Sequence, residues 1–418
     1  MREIVGVSSV KKLLVLANAF PYGVWETYME TEETYYSLFD KVWIGSLQIR
    51  KEHLKSKRKL KCGASVIPVP YRSKLFYLLN SFSVLADKEL YKELAALKKS
   101  GRLSLSRIVD LFVFLSRAHH EARVIDRAMK NVDKSDLMIY SYRFEYQPYV
   151  ALLLKKKWKT TQPIVCRAHG YDIYEERHPS NYIPLRKHIL NHIDYLFPCS
   201  QYGVEYAKER YGKVKAVIEC KYLGTTDHGE REVDPSRKPF KLVSCSNVIQ
   251  VKRLEKIVNA LSFIKDREIE WTHYGDGPLL NTIKQMAAEK LGSNIKTSFP
   301  GNVDNSDLLK TYAEKDYHLL LNVSASEGLP VSIMEAMSFG IPCAATNVGG
   351  TSEILCDDNG FLLEADVDDK TIAETIKTVS QLPDDAYLRL RKKARAAWNQ
   401  KFNSETNYAS FLNGLMNL

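Results

Sequence analysis

The sequence predicts an α/β chain built from two doubly wound, Rossmann-like domains with parallel sheets. Three observations carry that prediction. The chain has 418 residues, more than one hydrophobic core usually serves. Short apolar runs alternate with helical patterns through both halves, the rhythm of βαβ units. Between the halves, the stretch 225–238 loses all apolar periodicity and reads as a linker. The expected division is an N-terminal domain over 1–225, a linker over 226–239 and a C-terminal domain over 240–399. The tail near 400–418 is helical in pattern.

Taken in order, 12–16 is a first buried strand, and 42–45 and 65–69 are further strands. The stretch 83–130 reads as largely helical, with a break near Ser100 and Gly101, since glycine leaves the helical region easily. Strands follow at 137–140, 163–167 and 195–198, each trailed by turn material and then a helical pattern. After the linker, 241–245 opens a fresh strand, 253–264 is its helix and 269–274 the next strand. Further on, Pro330 suits a first helical turn, where its missing N–H costs nothing. The apolar run 331–339 is that helix, and Gly340 can stop it in a left-handed cap. The run 341–346 is a buried strand that ends in a turn containing Gly349 and Gly350. Thr351–Glu353 then opens another helix.

Composition narrows the setting. No apolar run approaches the roughly 20 residues that span a bilayer, and the first strand lacks the length and cleavage pattern of a signal peptide. The seven cysteines are scattered, with no Cys-x-x-Cys. That pattern suits reduced thiols in the cytoplasm and argues against structural zinc. The net charge of +10 is unevenly placed: residues 1–220 hold 37 Lys+Arg and 23 Asp+Glu, and residues 221–418 hold 23 and 27. The densest basic run is Arg50 to Lys61. Three readings fit it, in descending order: a solvated loop, a patch for an anionic membrane or lipid phosphate, and a nucleic-acid contact. The last lacks any accompanying nucleic-acid motif.

The segment from Ser326 to Gly340 is the most informative. Glu327 precedes the helix and Glu335 lies about one turn inside it. Backbone N–H groups at such a helix start attract phosphate. Carboxylates accept hydrogen bonds only, so a pair flanking an anion site suits the hydroxyls of a sugar or a ribose. An amphipathic helix with two surface glutamates would show the same spacing. The flanking strands favour a ligand site, because ligands bind at the carboxyl ends of strands in such sheets.

The Glu-x7-Glu spacing, the apolar helix, Gly340-Ile341-Pro342 and Val348-Gly349-Gly350 followed by Glu353-Ile354 resemble the retaining glycosyltransferases of family 4, which have the GT-B fold. The resemblance is specific over about 241–360 and looser elsewhere. It implies two Rossmann-like domains facing a cleft, with the final helix near 400–418 crossing back to the N-terminal domain. It implies that Glu327 contacts the transferred sugar and Glu335 the ribose of a nucleoside-diphosphate sugar. A UDP-sugar is the expected donor. The backbone of Gly328, Leu329, Pro330 and Val331 would lie on the diphosphate.

The same resemblance assigns further residues. Lys252 matches a lysine that grips the diphosphate, with Arg253 beside it. Asn247 stands where the family commonly has an arginine, which leaves that grip to Lys252, to Arg253, or diminished. Asn302 and Val303 match an element near the base. Gly23 is what remains of a Gly-rich loop after the first strand. His169 occupies the place of a histidine that faces the donor sugar, with Arg167 and Asp172 beside it and Arg177 and His178 as acceptor-side candidates.

The resemblance thus implies a retaining, metal-independent hexosyltransferase without a cofactor, acting in cell-surface polysaccharide or glycolipid assembly. Its partners would be a nucleotide-sugar donor, a glycan or lipid-linked glycan acceptor and an anionic inner membrane face, with no nucleic acid. A non-catalytic GT-B partner subunit and a nucleotide-sugar epimerase are the alternatives. A nicotinamide enzyme fits poorly, because no Gly-x-Gly-x-x-Gly follows the first strand.

Overall fold

The computed structural model describes residues 11–23, 26, 28–79, 82–229 and 233–418. They group into two compact units, one of Met1–Tyr222 with Tyr408–Leu418 and one of Leu223–Asn407. Residues 226–229 and 233–239 form neither helix nor strand.

The first unit is a seven-stranded sheet of β1 (Lys12–Ala17), β2 (Lys41–Ile49), β3 (Ser65–Pro70), β4 (Leu137–Ser141), β5 (Ile164–Ala168), β6 (Tyr195–Pro198) and β7 (Val217–Ile218). The spatial order is β3-β2-β1-β4-β5-β6-β7, and every pairing is parallel. Successive side chains of a strand point to opposite faces, so the continuous apolar run Leu13–Ala17 buries β1 on both. Leu14 and Leu16 face a core shared with the long helix Leu105–Ala128. Leu13, Val15 and Ala17 face a second core that takes in Phe411, Leu412 and Leu415 of the last helix.

The second unit is a six-stranded sheet of β8 (Phe240–Cys245), β9 (Ile269–Tyr274), β10 (Ile295–Gly301), β11 (Leu319–Asn322), β12 (Cys343–Thr346) and β13 (Phe361–Leu363). Its order is β10-β9-β8-β11-β12-β13, again all parallel. Both sheets therefore run in the 3-2-1-4-5-6 order of dinucleotide-binding folds, and both reverse direction beside their first strand. The helix Val331–Ser338 starts directly after Pro330 and Gly340 follows at φ +67°, as the Pro/Gly punctuation requires.

Two local expectations are corrected, and two short strands are added. Thr351–Glu353 is a single 3₁₀ turn rather than the start of a longer helix. The strand expected over 341–346 begins at Cys343, because Pro342 has no N–H to donate to the ladder. The short strands β7 and β13 carry no periodic signal of their own and form by pairing with β6 and β12. Among the described residues, no helix is long and apolar enough to cross a membrane.

Candidate functional site

In the second unit the loops that leave β8, β9, β11 and β12 lie at one edge of the sheet, and glycine lets them approach closely. Gly275 has φ +135°, and a Cβ there would lie 1.9 Å from the Ser246 carbonyl oxygen. Ser246 and Val248 donate backbone hydrogen bonds to Tyr274 and Asp276 at 3.0 and 2.9 Å. Gly349, at φ +57°, sits so that a Cβ would come within 1.9 Å of the Glu327 carbonyl oxygen. Gly350 donates to the Gly328 carbonyl at 2.8 Å. The glycine turn after β12 thus fixes the backbone from Glu327 to Gly328 and so aims the segment that precedes the helix.

Glu327 is buried, and its Oε1 accepts from Lys252 Nζ at 2.6 Å and from Asn322 Nδ2 at 3.1 Å. Burial alone would raise its pKa, but the Lys252 charge and hydrogen bonds from Lys252, Ser324 and Asn322 outweigh that and hold it below the usual range. It is a carboxylate with directed donors on one side. Asn322 is the last residue of β11. A polar residue closing the run Leu319-Leu320-Leu321 is the signal that could have marked it.

Glu335 differs. It projects from the middle of the helix, accepts from Asn305 Nδ2 at 2.7 Å, and burial pushes its pKa up to about 7. Asn305 opens the helix Asn305–Glu314 that follows β10, so its bond brings the loop containing Asn302 and Val303 to Glu335. Asn302 is exposed and Val303 half-buried. Asn305 itself went unnoticed in the sequence, because an asparagine there reads as a helix cap.

Leu329 and Pro330 are buried, while Gly328 and Val331 are half-buried. The first N–H groups of the helix have no intrahelical partner. Asn247 is exposed. Arg253 adopts φ +50°, and its Nε and Nη2 donate to the carbonyls of Val323 and Ser324 at 2.7 and 3.0 Å. Its guanidinium pins the loop after β11, leaving Lys252 as the cation on Glu327.

In the first unit His169 caps the short helix Gly170–Ile173. Its Nδ1 lies 3.3 Å from Asp172 Oδ2, and its N–H donates to Asp172 Oδ1 at 2.5 Å. Tyr28 and Tyr142 flank the ring at 5.3 and 5.1 Å. Burial lowers its pKa more than Asp172 restores it, so the imidazole is neutral at pH 7. Its Nε2 is buried without a hydrogen-bond partner among the described residues.

Arg167 is fully buried, 2.9 Å from Glu32 and stacked 4.5 Å from the Phe411 ring. Its surroundings are those of a core ion pair. Arg177 lies over the Tyr174 ring, and His178 bonds the Tyr171 carbonyl. Gly23 has φ +68° and lies against the His53 ring. Glu26 carries no sequence signal that sets it apart from a surface acid. Its carboxylate accepts from the N–H groups of Asn18, Ala19 and Phe20 at 3.2, 2.9 and 3.0 Å, and from Arg143 Nε at 3.1 Å. The turn after β1 is thus an anion-binding nest filled by the chain's own carboxylate.

These loops coincide with a family match. Residues 229–397 match the model described as glycosyl transferases group 1. The WcaL protein of Escherichia coli (strain K12), named for a glycosyltransferase of colanic acid biosynthesis, is 23% identical over 57% of this chain. N-acetyl-alpha-D-glucosaminyl L-malate synthase of Bacillus anthracis is 32% identical over 42% of it. The matched regions span 60% and 45% of those two relatives' own lengths. Among solved structures, Anabaena HepE in complex with UDP and glucose has a TM-score of 0.68 at 15% identity, covering 98% of this chain and 100% of that one. Sucrose-phosphate synthase from Thermosynechococcus elongatus has a TM-score of 0.70 at 15% identity, covering 97% and 98%. These likenesses establish the two-domain GT-B fold. Residues 229–397 of this chain are thus similar to glycosyl transferases group 1.

Proposed function

We propose that the chain is a retaining glycosyltransferase of the family 4 type, moving a sugar from a nucleoside-diphosphate sugar, a UDP-sugar in the first instance, to a hydroxyl acceptor. The observation that carries this reading is the Lys252–Glu327–Asn322 cluster beside the direction reversal of the second sheet, with Glu335 and Asn305 near it. Parallel sheets bind ligands at that place. A carboxylate held ionised by a lysine can accept from sugar hydroxyls, and the same lysine offers its charge to a diphosphate.

In the proposed reaction the bond from the anomeric carbon to the diphosphate oxygen breaks as the acceptor oxygen attacks from the same face. The acceptor proton passes to the departing diphosphate, whose negative charge Lys252 and the N–H groups of Gly328, Leu329 and Val331 stabilise. No step requires a metal. Glu335 would take the ribose hydroxyls, the loop at Asn302 and Val303 would lie near the base, and Arg253 would act by holding the loop after β11. His169 is the proposed contributor from the first unit, through the Nε2 that has no hydrogen-bond partner among the described residues. Gly23 is proposed for its loop alone. The complex of HepE with UDP and glucose and the colanic acid assignment of WcaL support a UDP-sugar donor and cell-surface polysaccharide or glycolipid assembly. The excess of cations over 1–220 supports an anionic acceptor and work at the cytoplasmic membrane face.

One observation favours a second reading, a non-catalytic subunit that keeps the fold. Asn247 is exposed where the resembling family holds an arginine. A panel of UDP-, GDP- and ADP-sugars separates the two, because a ligand that binds the folded state raises its melting temperature. A shift with one nucleotide class, lost in Glu335→Ala, is expected. No shift with any donor would overturn the catalytic reading.

A further inference from the structure

We infer that the first unit holds a binding pocket for an anionic group, a phosphate monoester or carboxylate, carried by the acceptor. The inference rests on the proposed glycosyl transfer and narrows its anionic acceptor to these two groups at a named place. The pocket is a cavity of about 960 Å³, within the usual range for small-ligand sites. It lies where ligands bind in such sheets, at the carboxyl ends of strands. Arg50 and Lys51 follow β2 directly, Arg72 and Lys74 follow β3, and Arg117 reaches in from the helix Leu105–Ala128. Among the described lining residues five are cations and Glu52 is the sole carboxylate.

Arg117 is the anchor. Its guanidinium lies over the rings of Tyr146, Tyr77 and Tyr71 at 4.9, 5.4 and 5.9 Å. Its Nε is buried without a hydrogen-bond partner among the described residues. Glu121, one turn along the same helix, already accepts from the Tyr146 hydroxyl at 3.2 Å. Burial pushes the Glu121 carboxyl well up, toward its neutral form, which leaves the Arg117 charge less compensated. Stacked rings hold a guanidinium in one plane, and its planar fork matches phosphate or carboxylate oxygens two at a time. Tyr71 adds an aromatic wall of the kind against which a sugar ring packs. Arg72 and Lys74 are exposed at the rim, where cations attract an anion and speed its arrival.

The full chain is titrated calorimetrically with glucose, glucose 6-phosphate and monomeric dihexanoyl phosphatidic acid. Wild type is compared with Arg117→Gln and with the exposed pair Arg72→Glu and Lys74→Glu. Either phosphate probe is expected to bind and glucose is not. Binding by the sugar phosphate points to a soluble acceptor, and binding by the short lipid alone to a headgroup. Both variants should weaken binding by about tenfold or more, and the rim pair does so while keeping all three tyrosines and the Arg72 N–H that bonds the Tyr77 hydroxyl. Equal binding of glucose and its phosphate, unchanged binding in the rim pair, or no binding of either phosphate would overturn the pocket. UDP-induced stabilisation is measured on the same samples and should not change in the rim pair. Phosphate binding without any UDP response would overturn the donor assignment and leave the pocket standing.

Discussion

Replacing Glu335 by glutamine tests the second unit at its most sensitive group. The carboxyl accepts one hydrogen bond from Asn305 at 2.7 Å, and among the described residues no cation pairs with it. Its pKa stands at about 7, against a usual 4.5. Each pH unit of difference is worth about 1.4 kcal/mol, so the displacement corresponds to roughly 3 kcal/mol. The direction follows from linkage. The folded-state value is the higher one, so the folded chain binds the proton more tightly than the unfolded chain. That stability is fully present below about pH 4.5 and is lost as pH rises to about 7. Glutamine keeps an oxygen for Asn305 and never ionises. The variant should match wild type near pH 4.5 and exceed it by up to about 3 kcal/mol at pH 8. For a unit of this size that is an increase of roughly 6–12 °C in Tm. Scanning calorimetry from pH 4.5 to 8 measures it. On the proposed ribose role of Glu335, the same variant should lose UDP-induced stabilisation at pH 8, because a neutral amide accepts more weakly from ribose hydroxyls. Parallel Tm profiles for the two proteins would refute the argument that burial holds this carboxyl protonated.

Two further expectations follow from single positions. Arg167→Met should cost about 3–5 kcal/mol in urea unfolding, because Glu32 would be left charged in a fully buried place, and adding Glu32→Leu should recover most of it; a loss below about 1 kcal/mol would show that the pair is not what anchors this core. Gly349→Ala should cost more than Gly63→Ala, although both have positive φ, because only the first places a Cβ against the Glu327 carbonyl while the second meets nothing within 4 Å; equal losses would mean that the turn after β12 does not fix the Glu327 loop.

Much of the fold was legible because its signals are local. The unbroken apolar run of β1 buries both its faces, and Pro330 and Gly340 bound one helix through their own φ preferences. Glu327 stood out for the same reason, as a carboxylate between a strand end and a helix start. Asn322, Asn305 and Glu26 did not, since each reads alone as a strand end, a cap or a surface acid. Arg253 read as a phosphate cation beside Lys252, yet a positive φ turns its guanidinium onto the carbonyls after β11. Adjacent residues share a sequence neighbourhood without sharing a direction.

The sequence by itself determined the alternation of strand and helix, the two-unit α/β class, the ends of the helix Val331–Ser338 and the uneven charge. All of these act within a turn or two of chain or are simple counts. Tertiary structure decided the rest. Lys252 and Glu327 are 75 positions apart, and they meet because β8 and β11 are neighbours in the sheet. Arg117 reaches the loops after β2 and β3 because its helix covers that part of the first sheet. Strand order and close packing set those encounters, and no local propensity encodes them.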